Sequence, residues 1–177
     1  MPTNDHVPKE KVVFHTKWFH IVSRQPPAYA EPHFSLRTKD YVTIVAVTAE
    51  GALLLVRQFR PALWTTTLEL PSGHVEPGQT PEEAARAELI EEIGHEAECF
   101  ELLGNFSPDT GRLGNRLWCF FADRALPLPK AAYQPEPGVD PVLYRGNLQQ
   151  LLGEREFCSA QNCAALLAAV LAGKLEI

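Results

Sequence analysis

Leu70 to His95 read LPSGHVEPGQTPEEAARAELIEEIGH, a loop rich in glycine and proline that runs straight into the clearest helix of the chain. Thr80 suits the N-cap, Pro81 fits the first helical position, and Glu83 completes a Thr-x-x-Glu capping box. Gly94 is the natural stop. An α-helix turns about 100° per residue, so with Glu88 at zero Glu91 falls near about −60° and Glu92 near about +40°. Three carboxylates therefore share one arc. Leu89, Ile90 and Ile93 occupy the arc from about 100° to about 200°, the side that enters a core. Like charges so spaced cost roughly a few tenths of a kcal/mol per pair. A divalent cation turns that repulsion into attraction, because hard cations prefer clustered carboxylate oxygens. Taken alone, the three glutamates fit a solvated acidic face. The tight loop before the capping box shifts the weight toward a metal site, since it can carry a backbone carbonyl onto the helix face.

Working outward, Tyr41 to Thr48 predicts a β-rich strand, Glu50-Gly51 a turn and Ala52 to Phe59 a second, largely buried strand. Leu68 to Leu70 predicts a short strand ending at Pro71. Upstream, Val12-Val13-Phe14 and Trp18 to Val22 are aromatic and β-branched runs broken by proline and polar residues, expected as short strands of a small antiparallel sheet. Downstream, Leu117 to Ala125 predicts a strand, and the five prolines of Leu126 to Pro141 predict a loop. Val142 to Tyr144 is a candidate to rejoin the sheet, and Ser159 to Leu171 predicts an Ala/Leu-rich helix. Strands mixed with two or three helices indicate a layered α/β or α+β domain.

Composition narrows the partners. The chain has 177 residues, 45% hydrophobic and 21% charged, with a net charge of −6. One domain with a real core fits that length, and the acidic balance argues against nucleic acid as a partner. Met1 to Val13 lacks the apolar core of a signal peptide, and the longest apolar run, Cys163 to Gly173, is too short to span a bilayer. Four cysteines without C-x-x-C spacing are expected as reduced thiols of a cytoplasmic protein. Zinc at Cys158 and Cys163 lacks the ligands to complete a tetrahedral set, and no two of the six histidines have ligand spacing.

Gly73 to His95 resembles the signature of Nudix hydrolases, G-x5-E-x7-R-E-U-x-E-E-x-G-U with U apolar. Gly73, Glu88, Leu89, Glu91, Glu92 and Gly94 match in register over 23 positions. Three positions depart from it: Gln79 stands for the first glutamate, Ala87 for the arginine and His95 for the last apolar residue. The first two together look like the loss of both halves of one bracing ion pair, which strands no charge and bears on loop rigidity more than on metal binding. Arg86, one residue early, points about 100° away. The strand Leu55-Val56-Arg57-Gln58-Phe59-Arg60-Pro61 and the entry Leu68 to Gly73 resemble the ADP-ribose and nucleotide-sugar pyrophosphatase branch.

The resemblance implies an α/β/α sandwich with a mixed central sheet at 41–177 and a small N-terminal antiparallel sheet at 1–40 that pairs across a homodimer. It implies magnesium, or manganese, held by Glu88, Glu91, Glu92 and the carbonyl of Ser72, and hydrolysis of a diphosphate in a small nucleotide substrate, with Glu92 and Glu88 central to catalysis. Glu136 is the candidate general base on the loop after the signature, against the reading of a solvated charge in a proline-rich loop. Arg60 and Arg57 are candidate substrate contacts, and Trp18 a candidate base-stacking residue, against surface arginines and a core aromatic. Two alternatives stay open: a nucleotide-binding or regulatory module that does not cut, favoured by Gln79 and Ala87, and a hydrolase for another nucleoside diphosphate derivative.

Overall fold

The computed structural model describes residues 9–134 and 136–176; the first eight residues of the expected N-terminal element, Pro135 of the proline-rich loop and Ile177 lie outside the described residues. Two compact units emerge. In the first, β1 (Lys11–His15), β2 (His20–Arg24) and β3 (His33–Arg37) form an antiparallel sheet in the order β1-β2-β3. The segment Ser107–Arg116 belongs to this unit, although it is distant in sequence. Leu36 explains why: its N–H donates to the Arg112 carbonyl at 2.7 Å, and its carbonyl accepts from the Gly114 N–H at 3.1 Å.

The second unit is the layered domain. Its central strands are β4 (Tyr41–Thr48), β5 (Leu53–Arg60), β10 (Leu117–Pro127) and β11 (Val139–Tyr144), with β6 (Thr65–Glu69) and β7 (Ser72–His74) beside them. β8 (His95–Glu96) and β9 (Phe100–Phe106) complete the sheet by pairing with β10. The pairing of β10 with β4 is parallel and the others are antiparallel, so the sheet is mixed. β4 and the first half of β5 are buried on both faces, which is why they read as continuous apolar runs. Val42, Ile44, Leu54 and Val56 pack with Ala84, Ala85, Leu89 and Ile93 on one face. Val45, Val47, Leu53 and Leu55 pack on the other with Ala165, Leu166 and Ala169 of α3 (Ala160–Leu171). Helices cover both faces, giving the sandwich.

Three readings change. β10 runs on to Pro127, and β11 begins at Val139, so the proline-rich stretch is shorter as a loop than expected. Its prolines are tolerated because Pro127 ends its strand and Pro141 lies on β11, at the end of the strand order. A short helix, α2 (Leu148–Gly153), is added, with Asn147 and Gln150 forming its capping box. The acidic helix is α only from Pro81 to Glu88 (α1); Leu89–Ile93 is a π turn.

Candidate active site

The helix starts as its cap dictates. The Thr80 hydroxyl accepts from the Glu83 N–H at 3.2 Å, and the Glu83 carboxylate accepts from the Thr80 N–H at 2.7 Å. At the far end Gly94 adopts a left-handed φ of 68° and donates to the Ile90 carbonyl at 2.8 Å. The positive φ is what favours glycine, and a Cβ there would also have to displace the Tyr133 ring, 2.1 Å away. Between these ends Leu89 and Ile93 are buried, each contributing about 1.5–3 kcal/mol. That outweighs the roughly 0.2–0.5 kcal/mol by which each like-charged pair opposes the turn. The apolar side anchors the acidic side.

β7 brings the loop onto this acidic side. Thr43, Val42 and Tyr41 of β4 pair with Ser72, Gly73 and His74, and the Tyr41 and His74 rings lie 4.4 Å apart. The Ser72 N–H donates to Glu92 Oε2 at 2.8 Å. A Cβ built on Gly73 would sit 1.7 Å from Glu88 Oε1. Glu88 thus occupies the space that any other residue at 73 would fill.

Glu136 completes the cluster. Its N–H donates to the Glu91 carbonyl at 3.2 Å, docking the loop before β11 on the π turn. Carboxylate oxygens of Glu88, Glu92 and Glu136 all lie within 4.8 Å of one another. Burial raises Glu88 to about 7, helped by the charges of Glu91, Glu136 and Glu76. Burial also raises Glu92 to about 8; the Ser72 N–H and Arg60 pull it down, and Glu88 and Glu136 push it up. Three converging carboxylates, two of them desolvated, make a hard-oxygen donor set suited to magnesium or manganese. The Gly73 cradle, where the Glu88 carboxylate takes the space of a Cβ, fits the same purpose. Glu88, Glu92 and Glu136 are the residues that can hold such an ion.

Beside the cluster stands a second ionic group. Arg60 donates to Glu69 through Nε at 2.8 Å and Nη2 at 2.7 Å, a bidentate pair. The Thr67 hydroxyl donates to Glu69 Oε1 at 2.6 Å. Burial pushes Glu69 up, but the Arg60 and Thr67 hydrogen bonds prevail and hold it below the usual carboxylate range. The Glu69 hydrogen bond raises Arg60, whose charge also reaches Glu92. Arg60 keeps 41% of its side chain exposed while paired.

The structure sorts the remaining candidates. Glu91 is exposed and outside the group of carboxylate oxygens that converge within 4.8 Å. Its place beside the other two is taken by Glu136. Ser72 reaches the cluster through its N–H. Arg57 alternates to the sheet face opposite Arg60 and pairs with Glu156 at 3.1 Å, so this chain does not bring it to the carboxylates. Trp18 belongs to the N-terminal unit, where it is 66% exposed rather than core, with Lys17 Nζ 4.5 Å from its ring centroid. Gln79 braces the loop without an arginine: its Oε1 accepts from the Glu76 N–H at 3.0 Å, and its own N–H donates to the Glu76 carbonyl at 3.0 Å. Arg86 faces away, donating to the carbonyls of Ala97 and Glu98. The Thr67–Glu69 contact was the part least visible in sequence; the period-2 spacing of the two residues is its only signal.

Residues 37–161 match the model of the NUDIX domain. The chain is 37% identical over 82 residues to "ADP-ribose pyrophosphatase" of Bacillus subtilis (strain 168), covering 46% of this chain and 44% of that protein. It is 30% identical over 117 residues to "ADP-sugar pyrophosphatase" of Mus musculus, covering 56% and 52%. The chain spans about half the length of these curated relatives. A crystal structure of an ADP compounds hydrolase shares the fold, with a TM-score of 0.78 over 96% of each chain at 21% identity.

Proposed function

Since the chain belongs to the Nudix family, we propose that it hydrolyses the diphosphate bond of ADP-ribose or a related nucleotide sugar, giving a nucleoside monophosphate and a sugar phosphate. The observation that carries this reading is the convergence of Glu88, Glu92 and Glu136 within 4.8 Å beside the Gly73 cradle. The names of the two pyrophosphatase relatives support the substrate class.

Glu88, Glu92 and Glu136 would hold a divalent cation, which would supply neutralisation of diphosphate charge and a water acidic enough to attack phosphorus. The chain's own residues do the rest. Gly73 leaves room for Glu88, and the Ser72 N–H fixes the orientation of Glu92. Glu136, the exposed member, would hold the ion through one carboxylate oxygen and take the proton of the attacking water on the other, as the bridging P–O bond breaks and the leaving phosphate departs with that oxygen. Arg60, oriented by Glu69 through Nε and Nη2, presents its remaining guanidinium N–H groups to a diphosphate oxygen.

We place the protein in the cytoplasm, consistent with four free cysteines. We also propose a homodimer formed through the N-terminal sheet. All five residues of the outer strand β1 are exposed, Val12, Val13 and Phe14 among them, and an apolar edge strand of this kind invites pairing. Incubation of ADP-ribose with the protein and magnesium, with products identified by chromatography, tests the activity. AMP and ribose 5-phosphate in equal amounts are expected. Intact ADP-ribose that nonetheless binds tightly would favour a binding module instead, as the Gln79 and Ala87 departures allow.

A further inference from the structure

The chain between β10 and β11 carries Glu136 to the carboxylate cluster. Pro129, Pro135 and Pro137 of this loop have no N–H to donate, so backbone bonding can do little to fix it. The Leu128 N–H donates to the Gly94 carbonyl at 2.8 Å where the loop begins, and the Glu136 N–H donates to the Glu91 carbonyl at 3.2 Å near its end. Gly138 then turns the chain into β11 with a φ of 84°. From Pro129 to Gly138 every described residue is exposed except Tyr133. The Tyr133 ring and hydroxyl fill the space that a Cβ on Gly94 would take. The glycine that ends the acidic helix therefore also opens a seat for the loop, and Glu136 lies one extended step beyond it in the chain.

We propose that Tyr133 is a positioning residue: its ring, seated on Gly94, holds Glu136 at the carboxylates of Glu88 and Glu92. The inference rests on the hydrolase reading above and deepens it. Holding an exposed glutamate and its loop in one place costs conformational entropy. The Glu136 N–H bond, at 3.2 Å, is at the long end for such bonds and offsets little of that cost. An aromatic ring packed on backbone contributes far more buried surface than any other side chain of the stretch. Without it the loop keeps its ends, Leu128 and Val139, both withdrawn from solvent, but its middle is released. Because that middle is exposed, its release costs the fold little. The site, by contrast, loses a metal ligand and a proton acceptor.

The test is a double-mutant cycle of Tyr133→Ala and Glu136→Gln, with Tyr133→Phe as the conservative variant. Steady-state hydrolysis of ADP-ribose, manganese affinity by calorimetry and Tm are measured for each. Tyr133→Ala is expected to lower kcat about tenfold, part of the roughly 100-fold or more that a placed base supplies, with KM close to wild type. It should also weaken manganese binding while Tm barely moves. Tyr133→Phe, which keeps the ring, should restore both kcat and manganese affinity. In the Glu136→Gln background Tyr133→Ala should cost nothing further, because the residue acts through Glu136. Unchanged kcat and manganese affinity in Tyr133→Ala would overturn the proposal. So would an equal loss with and without the Glu136 carboxylate, which is the mark of a general structural effect. A loss in Tyr133→Phe as large as in Tyr133→Ala would shift the role from the seated ring to the hydroxyl and overturn it too. A wild type that binds manganese but leaves ADP-ribose intact would sink the hydrolase reading alone, and the manganese cycle would still decide the seat; a wild type that does neither would remove both.

Discussion

A methyl group on Gly73 would stand 1.7 Å from the Oε1 of Glu88. The contact is with the far end of a flexible side chain, not with backbone, so the fold has an escape: the carboxylate swings away. Gly73→Ala should therefore leave Tm within about 2–4 °C of wild type, equivalent to about 1 kcal/mol in a chain of this size. The same swing takes Glu88 off the cluster. Hydrolysis of ADP-ribose should fall by about 100-fold or more, a loss that thermal melts and steady-state rates separate cleanly.

Glu91 and Glu92 are neighbours with different surroundings. Glu92 is buried and bonded to the Ser72 N–H, whereas Glu91 is exposed and acts on Glu88 only through its charge. Glu92→Gln should lower kcat by about 100- to 1000-fold, the range expected when a charge-stabilising group is lost. Glu91→Gln should cost less than about tenfold. Equal losses in the two variants would place Glu91 back among the ligands.

The metal-free protein should become less stable as pH rises. Glu88 and Glu92 titrate near about 7 and about 8 in the fold, above the ordinary value of 4.5. Between pH 4.5 and 8 the folded chain holds more protons than the unfolded one, so the free energy of unfolding declines through that window. In chelator, Tm should drop from pH 5 to pH 8, and Glu92→Gln should flatten the drop. Magnesium should raise Tm more at pH 8 than at pH 5, because the ion replaces the protons. A metal-free Tm that climbed with pH would refute the assignment of these carboxylates as the destabilised groups.

Arg60 and Glu69 form a pair in which one member is nearly buried and the other is not. Arg60→Met leaves Glu69 with only Thr67, at a cost of about 1–3 kcal/mol in urea unfolding. The double variant Arg60→Met with Glu69→Leu should recover most of that stability, since no charge is left unpaired. Activity should stay low in both, which distinguishes a substrate contact from a purely structural brace.

The N-terminal sheet exposes Val12, Val13 and Phe14 on its outer strand. Sedimentation should show a dimer at micromolar concentration, and Val12→Glu with Phe14→Glu should shift it to monomer. Wild-type monomer at concentrations where ADP-ribose is cleaved at the normal rate would remove the dimer.

Much of this was legible before the fold was known, and the parts that were not share a cause. Thr80, Glu83 and Gly94 announce the helix ends because caps are local chemistry, and β4 and β5 announce themselves by apolar runs. The π turn at Leu89–Ile93 is not legible: it packs on β5 and β11 and receives the Glu136 loop, contacts that no local pattern announces. β7 escaped for a similar reason, since Ser72-Gly73-His74 has no apolar alternation and becomes a strand only by pairing with β4. The arc of Glu88, Glu91 and Glu92 was right for an ideal helix. A carboxylate more than forty residues away, on a proline-bounded loop, converges with Glu88 and Glu92, and no local pattern announces it.

The most direct test is anomalous diffraction from crystals soaked in manganese. Density should appear between Glu88, Glu92 and Glu136, at about 2.0–2.6 Å from their carboxylate oxygens. An empty cluster with those side chains turned to solvent, under conditions where the protein cleaves ADP-ribose, would contradict the metal centre on which the proposed activity depends.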